Sequence, residues 1–127
     1  MSNSVSRRSF AAGAVTAVAS SRVLGANDRI RLGIVGAGAR GAGHLRDFSR
    51  RPDTEVVALC DVYRSKAERV CAKENLPLPV NQDYRRILDR KDVDAAVIAT
   101  SDHSHVPLLL DALAAGKDVY VEKPLTF

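Results

Sequence analysis

Three glycines spaced G-x-G-x-x-G at residues 36–41 (GAGARG) stand between an apolar run at 30–35 (IRLGIV) and a stretch of helical spacing at 41–50, closed by Arg51-Pro52. That order demands a strand that turns sharply and passes straight into a helix. A helix leaving a strand in this way packs back on it, and the next strand then runs parallel to the first. The rest of the chain repeats the alternation. Residues 55–60 (EVVALC) read as a second strand, 64–74 as a helix with Ala67, Val70 and Cys71 at helical spacing, and the proline-broken 76–80 leaves room for a short third strand. Residues 83–88 read as a helical turn with Asp83 in its first turn, and 95–99 (AAVIA) as a strand covered on both faces. Residues 106–115 form a helix with Pro107 near its start and Gly116 as its stop, and 119–121 a fifth strand. The expectation is an α/β chain: a Rossmann-type doubly wound parallel sheet of about five strands, occupying residues 29–127.

Length and composition agree with one compact core, since 127 residues with 46% hydrophobic content suit an ordinary domain. The net charge of +4 arises largely from Arg7, Arg8 and Arg22; beyond Ala26, 16 cationic residues face 15 anionic ones. A nucleic-acid groove therefore has no support from charge. Residues 1–26 resemble a twin-arginine export leader: SRRSF, a weakly apolar AAGAVTAVAS, and Ala17-Val18-Ala19 as the cleavage site, with Leu24-Gly25-Ala26 a poorer second choice. Export to the periplasm is expected, with cytoplasmic residence if the leader does not act. The apolar run is too short to span a bilayer, so no membrane attachment is expected beyond export. Cys60 and Cys71 lack disulfide or metal spacing and read as buried free thiols.

In a strand–turn–helix context the glycines have a mechanism. Gly36 permits the tight turn, Gly38 lets the backbone approach a diphosphate, and Gly41 lets helix and strand pack closely. Ala39 and Arg40 then lie at the helix N-terminus, where free N–H groups favour phosphate. Asp61 stands at the end of the second strand, twenty residues past Gly41. A carboxylate there accepts hydrogen bonds from an adenosine ribose and repels a 2′-phosphate, favouring NAD over NADP; Arg40 or Arg64 would soften that preference. The alternative is a structural turn in an α/β domain that takes another nucleotide or none.

Two further stretches fall at carboxyl ends of strands, where ligands of such sheets bind. In ATSDHSH (99–105), Thr100, Ser101 and His105 are placed to line the crevice, and Ser104 to cap the following helix. The H-x-H spacing has no third ligand nearby, so no metal is expected. In Glu122-Lys123-Pro124 the proline extends Lys123, which is expected to point into the crevice, polarise a carbonyl or hand over a proton. A cis Lys-Pro bond would tighten the turn.

Together, IRLGIVGAGARG, the CDV turn with Asp61 and ATSDHSHVPLLLDALAAGKDVYVEKPLT resemble the N-terminal half of the Gfo/Idh/MocA oxidoreductases over residues 29–127. The resemblance implies that Gly36, Gly38 and Gly41 hold the pyrophosphate and Asp61 the ribose. It places Thr100 and His105 beside the nicotinamide half and Glu122 near its ribose, and makes Lys123 the catalytic lysine. Ser101 stands where many members have proline and Ser104 where a close subgroup has tryptophan, which puts the shape and stacking surface of that loop in question. The family continues into a second α/β domain that binds a sugar-like substrate; here the sequence stops at the expected hinge. The implied activity is NAD(P)-dependent hydride transfer at a hydroxyl or carbonyl carbon of a sugar or polyol, with a homo-oligomer possible. The alternatives are a non-catalytic dinucleotide-binding fragment and a relative of the NAD-dependent glycosidases.

Overall fold

The structure, a computed structural model, describes residues 28–125; the leader at 1–26 lies outside them. Five strands alternate with helices: β1 (Ile30–Val35), α1 (Ala39–Ser49), β2 (Thr54–Cys60), α2 (Arg64–Lys73), β3 (Val80–Asn81), α3 (Arg85–Leu88), β4 (Ala95–Ile98), α4 (His105–Ala114) and β5 (Asp118–Val121). All pairings are parallel, in the order β3-β2-β1-β4-β5. The chain winds outward from β1 to one side, then returns and winds to the other. Between β1 and β4 the connections therefore leave in opposite directions and open a crevice at the carboxyl ends.

Side chains alternate along the strands, so each face of the sheet has its own core. Leu32, Ile34, Val56 and Val97 pack with Leu45 of α1 and Ala67 and Cys71 of α2. Val35, Ala58, Cys60 and Ile98 pack on the other face with Ile87 of α3 and Leu108 of α4. Every residue of β4 is buried, as expected for a strand covered on both sides. Gly33 is what lets α3 sit down on β1: a Cβ there would lie 2.3 Å from Ile87 Cγ2.

Two polar fastenings secure the end of the sheet remote from the crevice. Asp94, just before β4, accepts the Arg31 backbone N–H at 2.8 Å and the Arg31 guanidinium at 2.8 and 3.1 Å. These bonds hold its carboxyl below the usual carboxylate range. Lys117, after the positive-φ stop Gly116, donates to the carbonyls of Arg90 and Val93 at 2.7 and 2.8 Å. Both cysteines are buried and free, and burial pushes the Cys60 thiol up to about 12.

Boundaries follow the sequence reading closely, with three local differences. The third strand is shifted to Val80–Asn81. Asp83 precedes α3 instead of lying in its first turn, and accepts the Arg85 N–H at 3.0 Å. Ser104 occupies the cap position of α4 without capping it, because its hydroxyl is already paired with the Thr100 hydroxyl and the Ser101 carbonyl, both at 2.7 Å. Among the described residues no helix is long and apolar enough to cross a membrane.

Candidate cofactor site

The glycine turn is built by close backbone packing. Gly36 has φ of +102°, and a Cβ on it would lie 2.4 Å from the Ala99 carbonyl oxygen, so β1 and β4 meet there without room for a side chain. Gly41 is held still more tightly, with a notional Cβ 1.8 Å from the Gly36 carbonyl oxygen. Gly38 differs from both. It is extended (φ −70°, ψ −174°) at the cap of α1, and a Cβ on it would find only Lys66 Nζ, 3.8 Å away. Packing within the protein thus explains two of the three glycines, and the third faces open space.

That space is the crevice. A cavity of about 640 Å³ runs over the glycine turn (Gly36, Gly38, Ala39, Arg40), across Asp61 to Tyr63 with Lys66, and along Ala99 to Ser101 with His103 and Ser104. Its volume is in the range of sites that enclose small-molecule and cofactor ligands. Helix α1 points its N-terminus at it, with no side-chain cap at Gly38 and no acidic residue in the first turn. The leading N–H groups of a helix lack intrahelical acceptors and carry partial positive charge, so this end is left ready for an anion.

Asp61 is an oriented carboxylate. Its Oδ2 accepts the Ala37 N–H at 2.7 Å and its Oδ1 the Tyr63 N–H at 2.8 Å, which ties the glycine turn to the end of β2. Each oxygen retains lone-pair capacity on the crevice side. Lys66, in the first turn of α2, lines the same crevice beside Gly38 and brings a cation near the N-terminus of α1. The donors and the open cradle fit a dinucleotide. Among the described residues no group of three or more metal-ligating side chains comes together.

Comparison with known proteins agrees with this geometry. The family GFO_IDH_MocA, described as an oxidoreductase family with an NAD-binding Rossmann fold, matches residues 30–127. The chain belongs to the Gfo/Idh/MocA oxidoreductases. Among solved structures of the family, myo-inositol dehydrogenase from Lactobacillus casei, in complex with NAD(H) and myo-inositol, superposes with a TM-score of 0.73 at 29% identity, over 77% of this chain and 29% of that one. A 3-ketoreductase from Actinomadura kijaniata, in complex with TDP-benzene and NADP, gives 0.70 at 33% identity, over 77% and 31%. Among curated proteins, a glycosyl hydrolase family 109 protein of Shewanella sp. (strain ANA-3) is 33% identical over 104 residues, 76% of this chain and 23% of its own length. An alpha-N-acetylgalactosaminidase of Shewanella oneidensis is 32% identical with the same coverage. The chain thus spans about a quarter of the length of these curated relatives.

Within this Gfo/Idh/MocA domain the site residues read from the sequence divide into three groups. Gly36, Gly38, Ala39, Arg40, Asp61, Thr100 and Ser101 all line the crevice, while Gly41 lies behind the turn as a packing residue. His105 does not line it. The short 3₁₀ turn at Asp102–Ser104 rotates His105 inward to 1% exposure, and His103 faces the crevice in its place. Glu122 is likewise not part of the cavity wall. Its Oε1 accepts from His44 Nε2 at 2.6 Å and lies 3.4 Å from Arg40 Nε, which together hold its carboxyl below the ordinary range. Lys123 stands exposed at the tip and is not part of the cavity wall, and the Lys123-Pro124 bond is cis. Three contributors escaped the sequence reading: His103, His44 and Lys66. Lys66 was in principle legible, five residues past the strand-end acid on the first turn of a helix. His44 was not, because its partner lies 78 residues away.

Proposed function

We propose that this chain is the cofactor half of an oxidoreductase that moves hydride between nicotinamide and a hydroxyl or carbonyl carbon of a sugar or polyol, with NAD preferred and NADP admissible. The open face of Gly38 at an uncapped helix N-terminus, beside an oriented Asp61, carries this reading. Gly38, Ala39 and Arg40 would hold the diphosphate by backbone N–H groups, with Lys66 adding charge from α2. Asp61 would accept from the adenosine ribose and disfavour a 2′-phosphate. Thr100 and Ser101 would border the nicotinamide half, and Lys123 would orient or protonate the reacting oxygen. The cofactor, once bound, supplies the hydride chemistry itself. The substrate is proposed as a sugar or polyol held through a second domain. A homo-oligomer, and export directed by the Arg7-Arg8 leader, complete the proposal; fractionation of source cells tests the last point.

Calorimetric titration of the chain with NAD and with NADP tests the cofactor assignment. Saturable binding with NAD tighter than NADP is expected, and absence of saturation by either would overturn it. The names of the curated relatives favour a second reading, in which the same cofactor half serves an NAD-dependent glycosidase. With the native protein from source cells and NAD, NADH formed from polyols would mark a dehydrogenase; phenol released from an aryl N-acetylgalactosaminide without net NADH would mark the glycosidase. A native protein that binds NAD yet gives neither signal would be a non-catalytic binding unit.

A further inference from the structure

Lys123 is unusual in how it is held. Among the described residues its amine has no hydrogen-bond or ion-pair partner, and it lies just beyond the last ladder position of β5, where Ile98 pairs with Val121 and the Glu122 N–H makes one more bond to the Ile98 carbonyl at 2.9 Å. Residues past the end of a strand ordinarily lose order unless something ties them down. Both neighbours of Lys123 are tied down, each by a histidine. On one side the Glu122 carboxylate takes the 2.6 Å bond from His44 Nε2–H, and on the other the Pro124 carbonyl accepts from His105 Nδ1–H at 2.8 Å.

We propose that His44 and His105 form a clamp whose role is to position Lys123, acting on the residues to either side of it. The two histidines come from opposite layers of the fold. His44 belongs to α1, which covers one face of the sheet, and His105 opens α4, which covers the other. Each is also fixed from behind. The His44 ring contacts those of Phe48 and Tyr120, with centroids 5.8 and 5.2 Å away, and only 13% of its side chain is exposed. His105 is essentially buried, with its Nδ1 opposite the Pro124 carbonyl and its Nε2 3.1 Å from the Thr100 carbonyl oxygen. Arg40, from the same face of α1, adds a cation 3.4 Å from Glu122 Oε1.

Apolar packing alone does not account for this arrangement, because a buried ring used only for packing would need no carbonyl or carboxylate opposite its nitrogen. The arrangement suits a lysine that must keep its amine free while its backbone stays fixed, since misplacing a reacting group by about an ångström can cost roughly a hundredfold in rate. The inference rests on the reading of Lys123 as the group that acts at the nicotinamide end.

The test uses the 127-residue chain labelled for NMR, with His44→Phe and His105→Leu, which remove the donors, and His44→Gln and His105→Gln, which keep one. Without nucleotide, the Lys123 amide is expected to be as ordered as β5 in the parent, mobile in the Phe and Leu variants, and restored by both Gln variants. With NAD, contacts between the Lys123 side chain and nicotinamide ring protons are expected in the parent and in the Gln variants. They should be lost in the other two, while NAD affinity changes less than about threefold, because the diphosphate and ribose contacts lie apart from the clamp. An unchanged Lys123 amide in His44→Phe and His105→Leu, or failure of glutamine to restore it, overturns the clamp. If the variants behave as expected but Lys123 makes no contact with nicotinamide in the parent, the clamp stands and the assignment of Lys123 falls. Should His105→Leu fail to fold, His44→Phe with the two Gln variants decides.

Discussion

Gly38→Ala separates what the protein needs from what a cofactor needs. The backbone at Gly38 lies in a region open to any residue, and the added methyl would meet nothing nearer than Lys66 Nζ at 3.8 Å. Losing a glycine at a helix cap costs up to about 1 kcal/mol. The reduced freedom of the unfolded chain returns about 0.4–1 kcal/mol. The net change in stability should stay within about 1 kcal/mol, a melting shift of at most about 8 °C for a domain of this size. With a diphosphate present the balance changes, because the methyl occupies the space through which a phosphate oxygen must reach the N–H groups of α1. Overpacking of that kind costs about 1–3 kcal/mol. The expected loss of NAD affinity is therefore about 5- to 150-fold, read by calorimetric titration beside a thermal melt. Gly43→Ala is the control: nothing lies within 4 Å of its Cβ position inside α1. It should gain about 1 kcal/mol of stability and leave affinity alone. A Gly38→Ala chain that melts normally and binds NAD within twofold of the parent would refute the assignment of this glycine to the cofactor.

The other substitutions probe neighbouring links. Gly41→Ala drives a Cβ into the Gly36 carbonyl, so β1 and α1 must part; a loss of about 1–3 kcal/mol in urea unfolding is expected, before any ligand is added. Asp61→Asn sets an amide against one of the two N–H groups the carboxylate now accepts, costing about 1–3 kcal/mol of stability, and by removing the charge it should raise NADP affinity relative to NAD in paired titrations. The Cys60 thiol is pushed from 9.0 to about 12 by burial and by the nearby Asp61 and Asp83 charges, so the folded state holds its proton more tightly than the unfolded state does. Its contribution to stability is complete below pH 9 and lost above it, at up to about 1.4 kcal/mol per pH unit. Denaturant titrations of the parent against Cys60→Ala between pH 8 and 11 should show that extra slope only in the parent.

The fold was legible because its signals are local: apolar runs of strand length, helical spacing between them, and glycine or proline at the joints. The crevice followed from topology, since the carboxyl ends of β1, β2 and β4 carry Gly36, Asp61 and Thr100 whatever their side chains do. What the sequence withheld was side-chain direction just beyond a strand. His103 and His105 differ by two positions, and a single 3₁₀ turn decides which faces the crevice and which the interior. The pairing of Glu122 was hidden for a related reason, because it is set by a partner 78 residues away, beyond the reach of any spacing rule. Ser104 shows a competition that propensity cannot rank: a hydroxyl suited to capping α4 serves the loop before it instead.

Helix α1 begins at the glycine-turn end of the crevice, and Arg40 in its first turn and His44 one turn further on grip the Glu122 carboxylate beside Lys123. Under the proposed function this one rigid rod would set the span from the diphosphate anchor to Lys123, and its seating is fixed by the close contact at Gly41. A change that slides or tilts this gauge, even far from the lysine, would alter which length of ligand can be anchored and reached at the same time. Variation in the glycine turn across the family is therefore expected to register in catalytic alignment as well as in affinity.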